Sequence, residues 1–337
     1  MNRNIGIGVI GMGWMGQVHS RAYRLMPDRF ADLGIAPQLI VCADEIAARA
    51  ALGPRHFGFS RSTGNWQELM DDPEVDIVVI TAPNHLHLPV VRAAVHAGKH
   101  IFCEKPVGRN PDETSQIEHA ARTAGVVTGV GYNYRWAPLV QYARQLIQEG
   151  KLGDLTHYRG RFFTGYGRQP GSVLSWRFRS ELAGLGALGD LMSHVIDMAH
   201  ALCGPINRVS ANQHTFIKGR PLATSGEGTH CTTQEGGSVG EVTNEDYVGA
   251  LVQFDNGARG TLEACRVIVG HPCEMAFEVN GTRGALSWNF ERMNELNLYL
   301  TEEDDRLQGR RLIFNGPEHP HYARFYPGRL MHWAMKI

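Results

Sequence analysis

The stretch IGIGVIGMGWMG, residues 5–16, sets an apolar run directly against Gly11, Gly13 and Gly16 and then against a helical pattern. Nothing else in the chain constrains the fold as strongly. Such a run reads as a strand buried on both faces, and the glycines let it turn sharply into a helix. The same alternation continues, with strand-like runs at 5–11, 38–44, 75–82, 100–105 and 126–133. Helical segments fall between them, near 14–26, 45–52, 65–71, 87–97 and 111–124. The last of these opens with Asn110 as N-cap and Pro111 at the first helical position. Strands alternating with helices predict a parallel sheet covered on both faces, a doubly wound α/β domain over residues 1–136.

The rhythm then changes. After a helix from Pro138 that stops at Gly150, the segments at 155–163, 206–217, 246–254, 258–269, 275–281, 285–290 and 295–300 are strand-like. Several are joined by DNG or NGTRG turns, so residues 137–337 predict an α+β domain with a mostly antiparallel sheet. Its main helical pattern covers 189–203. Residues 224–242 are rich in Gly, Ser and Thr and aperiodic, which predicts a mobile loop over or beside the sheet.

Composition narrows the function classes. The chain has 337 residues, a net charge of -1 and no long basic run, which argues against nucleic acid or an anionic membrane as partner. The apolar start after Arg3 is interrupted by glycine and leads into the fingerprint, so it reads as a first strand rather than a signal peptide. Sixteen histidines are scattered without ligand spacing, and His85/His87 and His319/His321 are weak pairs, so no metal site is expected. The six cysteines form no C-x-x-C pair, and Cys42 and Cys103 lie in expected core strands. Free thiols and a cytoplasmic location follow as expectations.

Gly11-Met12-Gly13-Trp14-Met15-Gly16 follows a strand and opens a helix, which is the context that gives a G-x-G-x-x-G meaning. Gly11 permits the turn, Gly13 lets the backbone approach a pyrophosphate, and Gly16 lets helix pack on strand. Asp44 ends the second strand, where a carboxylate takes ribose hydroxyls and repels a 2′-phosphate, so the expected cofactor is NAD rather than NADP. It lies further on than the usual ~20 residues, a distance the segment PDRFADLGIAP accounts for. A glycine-rich packing turn without ligand is the alternative.

Ligands of open parallel sheets sit beyond the carboxyl ends of the strands. Those ends read APNHLH (Ala82, Pro83 and onward), CEKPVG and GYNYRW. Lys105 ends a near-continuous apolar strand, and faces either the ligand crevice or a partner such as Glu104 or a cofactor phosphate. In GDLMSHVIDMAH, Asp190, His194 and Asp197 fall within about 60° on a helical wheel, an imidazole between two carboxylates on an otherwise apolar helix. Such a stripe is either a satisfied core histidine or a row of groups facing a substrate.

The fingerprint, EKP at 104–106 and GALGDLMSHVIDMAHALCG at 186–204 together resemble the Gfo/Idh/MocA oxidoreductases over nearly the whole chain. Within that family, LSWRF and GALGD…HVIDMA look most like members acting on cyclitols and anhydro-sugars. The resemblance implies a Rossmann domain followed by an open-faced, mostly antiparallel sheet. It implies Lys105, Asp190 and His194 as the catalytic group and Asn84, His87, Glu104, Trp176 and Arg177 along cofactor or sugar. Asn133 and Arg135 would lie beside the substrate, and Pro106 would follow a cis bond. Relatives continue with a further helix where RLMHWAMKI stops.

The expected reaction is NAD-dependent oxidation of a secondary hydroxyl on a small neutral polyol. His194 acts as base, Lys105 hydrogen-bonds the reacting oxygen, and Asp190 binds a neighbouring hydroxyl. The competing readings are oxidised-sugar reduction or glycoside cleavage with recycled NAD, and a non-catalytic NAD-linked sensor. A homodimer or homotetramer through the second sheet is expected from the resemblance.

Overall fold

The structure is a computed structural model and describes residues 3–222, 232–234, 236–301 and 305–325. The chain divides into two units, residues 1–131 with 179–184 and residues 132–178 with 185–337.

In the first unit, β1 (Arg3–Ile10), β2 (Ile35–Ala43), β3 (Arg61–Thr63), β4 (Ile77–Ile80), β5 (His100–Cys103) and β6 (Thr128–Val130) form one sheet. All pairs are parallel and the order is β3-β2-β1-β4-β5-β6. Helices α1 (Trp14–Arg29), α2 (Ala47–Ala50), α3 (Glu68–Asp71), α4 (His87–His96) and α5 (Pro111–Ala124) connect the strands. Successive strand residues point to opposite faces, and this divides the apolar side chains into two cores. Ile7, Val9, Leu39, Cys42 and Val79 pack on one face, while Ile10, Val41, Val78, Ile80 and Ile101 pack on the other. Asn110 caps α5 by accepting a hydrogen bond from the Glu113 N–H, with Pro111 in the first turn, as expected. The short edge strand β3 had no apolar run to announce it.

The second unit contains α6 (Pro138–Gln148), β7 (Leu155–Phe163), α8 (Ser193–Cys203), β8 (Ile206–His214), β9 (Gly219–Pro221) and β10 (Val239–Glu241); α7 (Ser180–Ala183) belongs to the first. It continues with β11 (Tyr247–Phe254), β12 (Arg259–Cys265), β13 (Glu274–Gly281), β14 (Gly284–Asn289), β15 (Glu295–Leu300), β16 (Arg311–Phe314) and α9 (Tyr322–Phe325). Its eight-stranded sheet runs β16-β15-β14-β13-β7-β12-β11-β8. Only the β7–β12 pair is parallel, so the sheet is mostly antiparallel. Tyr158, Phe162, Val248, Leu262, Phe277, Val279 and Trp288 join Leu139, Val140, Val195 and Met198 of α6 and α8 in one core.

Two sequence expectations change. The expected helix at 189–203 is a π turn over Leu188–Met192 leading into α8. Within the expected loop at 224–242, Val239–Glu241 pairs with Gly219–Pro221 as a hairpin; residues 223–231 and 235 lie outside the described residues, as does the end of the chain after residue 325. Among the described residues Cys42, Cys103, Cys203, Cys265 and Cys273 are free thiols. No helix among them is long and apolar enough to cross a membrane.

Candidate active site

In the first unit the fingerprint glycines divide their work. Gly11 has φ +93°, and a Cβ there would stand 2.8 Å from the Ala82 nitrogen. A Cβ on Gly16 would stand 1.9 Å from the Gly11 oxygen, so helix and turn meet without room for a side chain. At Gly13 a Cβ would meet nothing within 4 Å. That open space lies at the start of α1, where no side chain caps the helix and no acidic residue occupies the first turn. Uncapped amides at a helix start and bare backbone fit a pyrophosphate. Trp14 is exposed and Met12 fully buried, with Met15 between these extremes.

Asp44 follows β2. Its Oδ2 accepts the Met12 N–H at 2.8 Å and its Oδ1 accepts the Ile46 N–H at 2.9 Å. The carboxylate thus ties the turn to the strand end, and each oxygen keeps a further lone pair for a ribose hydroxyl. The residues present fit NAD. Thr81 links the same turn to β4 by donating to the Gly11 carbonyl at 2.6 Å.

Beyond β4, Ala82 and Pro83 lead into a short 3₁₀ turn that begins with the buried Asn84, which donates to the Ala183 carbonyl at 2.8 Å. His87 differs from the expectation of a ligand-lining group. Its ring is fully buried, with Nε2 at 3.0 Å from the Ala82 oxygen and Nδ1 at 3.0 and 3.1 Å from those of Pro106 and Val107. Burial holds its pKa below the ordinary 6.5, against the pull of those carbonyls and of Glu104. Glu104 is likewise closed in, with Oε1 at 2.7 Å from His19 Nε2. Lys105 follows, half-buried, and its bond to Pro106 is cis.

In the second unit, His194 lies on α8 and is 5% exposed. Tyr132 and Tyr134 stand edge-on to its ring at 5.5 and 5.0 Å, and Phe162 of β7 lies at 5.7 Å. Aromatic rings at these angles and distances attract one another and fix the imidazole plane. Asp190 sits in the π turn, where its Oδ2 accepts a 2.8 Å hydrogen bond from the Tyr166 hydroxyl. Burial raises the pKa of Tyr166, so the phenol keeps its proton and donates. Burial likewise raises that of Tyr134, whose hydroxyl lies 3.5 Å from Cys273 Sγ.

The polar stripe read from GDLMSHVIDMAH therefore separates. Asp197 belongs to Arg135, which donates to both its carboxylate oxygens. The guanidinium expected beside a substrate is committed to this pair, so what it offers a sugar is limited to its remaining N–H groups. Asn133, exposed, opens the 3₁₀ turn that carries Arg135. Trp176 and Arg177 begin another, with the Arg177 guanidinium 4.3 Å over the Trp176 ring. The Arg177 carbonyl accepts from Arg266, whose own charge is paired with Asp246 at 2.8 Å, both groups fully buried.

Spacing gave no sign of His19, Tyr132, Tyr134, Phe162 or Tyr166. The two tyrosines lie inside the strand-end segment GYNYRW, whose Y-x-Y alternation was available as a cue. Tyr166 comes from an irregular loop with no periodicity to read. No group of three or more His, Cys, Asp or Glu among the described residues could hold a metal ion.

Two family profiles match. One, described as an oxidoreductase family with an NAD-binding Rossmann fold, covers residues 5–132; the other, the GFO/IDH/MocA C-terminal domain, covers 140–287. Levoglucosan dehydrogenase of Pseudarthrobacter phenanthrenivorans is 39% identical over 326 residues, 96% of this chain and 84% of that one. The scyllo-inositol 2-dehydrogenase (NAD(+)) of Bacillus subtilis is 25% identical over 287 residues, 85% and 74% of the two chains. A solved levoglucosan dehydrogenase, in complex with NADH and levoglucosan, superposes with a TM-score of 0.90 at 37% identity, covering 98% of this chain and 85% of that one. With the fingerprint, the strand-end lysine and the caged histidine in place, the chain belongs to the Gfo/Idh/MocA family of NAD-binding oxidoreductases.

Proposed function

We propose that this chain oxidises a secondary hydroxyl of a neutral sugar, anhydro-sugar or cyclitol to the ketone, with NAD as acceptor. Residues 1–136 bind the cofactor and residues 137–337 the substrate. The observation that carries this reading is the buried imidazole of His194, held by three rings, with Asp190 four residues before it in the chain and oriented by Tyr166. A buried imidazole needs partners, but a merely structural one has no need of so fixed a ring plane. The likeness to relatives named for levoglucosan and scyllo-inositol supports a ring-shaped polyol.

When bound, NAD is the two-electron acceptor and carries the redox chemistry. The chain's part is protons and placement. Neutral His194 accepts the hydroxyl proton as the carbon is oxidised. Lys105 donates a hydrogen bond to the same oxygen and stabilises its developing negative charge. Asp190 accepts from an adjacent hydroxyl and orients the ring. Positioned proton transfer of this kind is worth about 10²–10⁴-fold. Asn133, Arg135, Trp176 and Arg177 border the sugar and the nicotinamide end. Ala82, Pro83, Asn84, His87 and Glu104 shape the cofactor side through the strand-end turns. Asp44 selects NAD over NADP.

The five free thiols among the described residues support a reducing, cytoplasmic setting. The sheet face that carries Arg159, Glu263, Leu251 and Glu278, opposite α6 and α8, is the surface through which copies of the chain pair as a dimer or tetramer.

The test is NADH absorbance with inositols, levoglucosan and aldoses as substrates. Turnover on one class of cyclic polyol, with NAD preferred and the preference relaxed in Asp44→Ala, is the expected result. A protein that binds NAD yet reduces none of it on any polyol of the panel overturns the reading.

A further inference from the structure

We infer that His19 is a positioning residue for Lys105, acting through the buried carboxylate of Glu104. The inference rests on the proposed role of Lys105. Glu104 is 6% exposed, and a carboxylate so buried is costly unless it is paired and hydrogen-bonded. Its Oε1 lies 2.7 Å from Nε2 of His19 on α1. Its Oε2 accepts the backbone N–H of Lys105 itself, at 3.2 Å. The His19 ring leans on Phe102 of β5, with centroids 5.1 Å apart, so it has little freedom to follow another partner.

Behind the carboxylate stands Gly131. A Cβ there would come within 2.7 Å of Oε1 and 3.0 Å of Oε2, so only a glycine lets the carboxylate lie in this slot. On the far side of the turn, His87 engages the Pro106 and Val107 carbonyls. Residues 104–107 are thus gripped from α1, from the end of β6 and from α4. The side chain between these grips is Lys105. A carboxylate recruited to bind a ligand would keep an open edge, as Asp44 does, whereas Glu104 is buried and both its oxygens are engaged within the protein. His19 also lies one turn beyond Gly16, on the helix whose start faces the cofactor site, so one rigid element sets both the phosphate cradle and the lysine turn.

The test compares His19→Ala, His19→Gln, Gly131→Ala and Lys105→Ala as full-length protein with NAD and the best polyol. Glutamine places an amide N–H where histidine has Nε2, so it restores the contact with Glu104. His19→Ala and Gly131→Ala are expected to lower kcat by about 10–100-fold, the worth of a hydrogen bond to a charged group. KM for the polyol and Kd for NAD, from fluorescence titration, should move less than about 3-fold, since both residues act on the Glu104 carboxylate. His19→Gln should recover most of kcat. A readout without turnover is the rate at which an amine reagent labels Lys105 in the cofactor-free protein, followed by mass spectrometry. It should change several-fold in His19→Ala and return in His19→Gln. If Lys105→Ala is inactive while His19→Ala and Gly131→Ala keep kcat within about 2-fold of wild type, the inference falls and the role of Lys105 stands. If Lys105→Ala itself turns over normally, the reading beneath the inference fails and takes it along. Should His19→Ala not fold, Gly131→Ala acts on the same carboxylate from the opposite side and decides the matter.

Discussion

The two units hold their candidate site groups by different means. In the first, placement is a property of the backbone: Gly11, Gly13 and Gly16 shape a turn, strand ends deliver Asp44 and Lys105, and carbonyls grip His87. In the second, placement is a property of side-chain packing, with three rings fixing His194 and a phenol orienting Asp190. A cofactor shared by many enzymes can be bound by geometry that sequence motifs encode locally. A substrate ring is held by contacts from residues far apart in the chain, and those are free to vary.

The largest expected effect probes the backbone unit. Gly16→Val sets a side chain 1.9 Å from a carbonyl that cannot move, and should cost more than about 3 kcal/mol, seen as a large drop in melting temperature. Gly13→Val separates fold from function within the same motif. Its Cβ meets only open space, so melting should change far less than in Gly16→Val, while Kd for NAD rises by about 10-fold or more because the phosphate cradle is filled. Gly13→Val melting like Gly16→Val would erase the distinction.

On the packing side, Tyr166→Phe removes the hydroxyl that orients Asp190 and keeps the ring. It should lower kcat/KM by about 10-fold, the worth of one hydrogen bond to a carboxylate, with NAD affinity unchanged. An equal loss in NAD binding would mean that the two halves are not functionally separate.

The smallest effect concerns His87. Burial keeps its folded pKa below 6.5. As pH falls through the unfolded value the unfolded chain therefore takes up a proton that the folded chain resists, and stability is lost on the acid side. Melting temperatures of wild type should fall more between about pH 7 and pH 5 than those of His87→Gln. Parallel curves would show that folding leaves this imidazole's pKa unchanged, and a smaller fall in wild type would show that the fold holds it protonated.

What the sequence disclosed follows the same division. The parallel sheet, its helices, the Asn110 cap and the fingerprint were legible because each is written in consecutive residues. The longer antiparallel strands were legible from their runs and turns, but β9, β10 and β16, and β3 at the edge of the parallel sheet, are short and lack apolar alternation. The stripe of Asp190, His194 and Asp197 was visible as spacing. Its division into one carboxylate held by Tyr166 and another by Arg135 was not, because both partners come from separate segments and the π turn alters the helical register. His19 went unnoticed because its partner, Glu104, lies 85 residues away in sequence.

The most direct measurement is a double-mutant cycle on kcat for Lys105→Ala and His194→Ala, with NAD affinity measured in each variant. If both groups serve one substrate hydroxyl, each single change should cost about 10²–10⁴-fold and the double variant should be scarcely slower than the worse single one. Losses that multiply in the double variant, or a single variant turning over at nearly the wild-type rate, would contradict it.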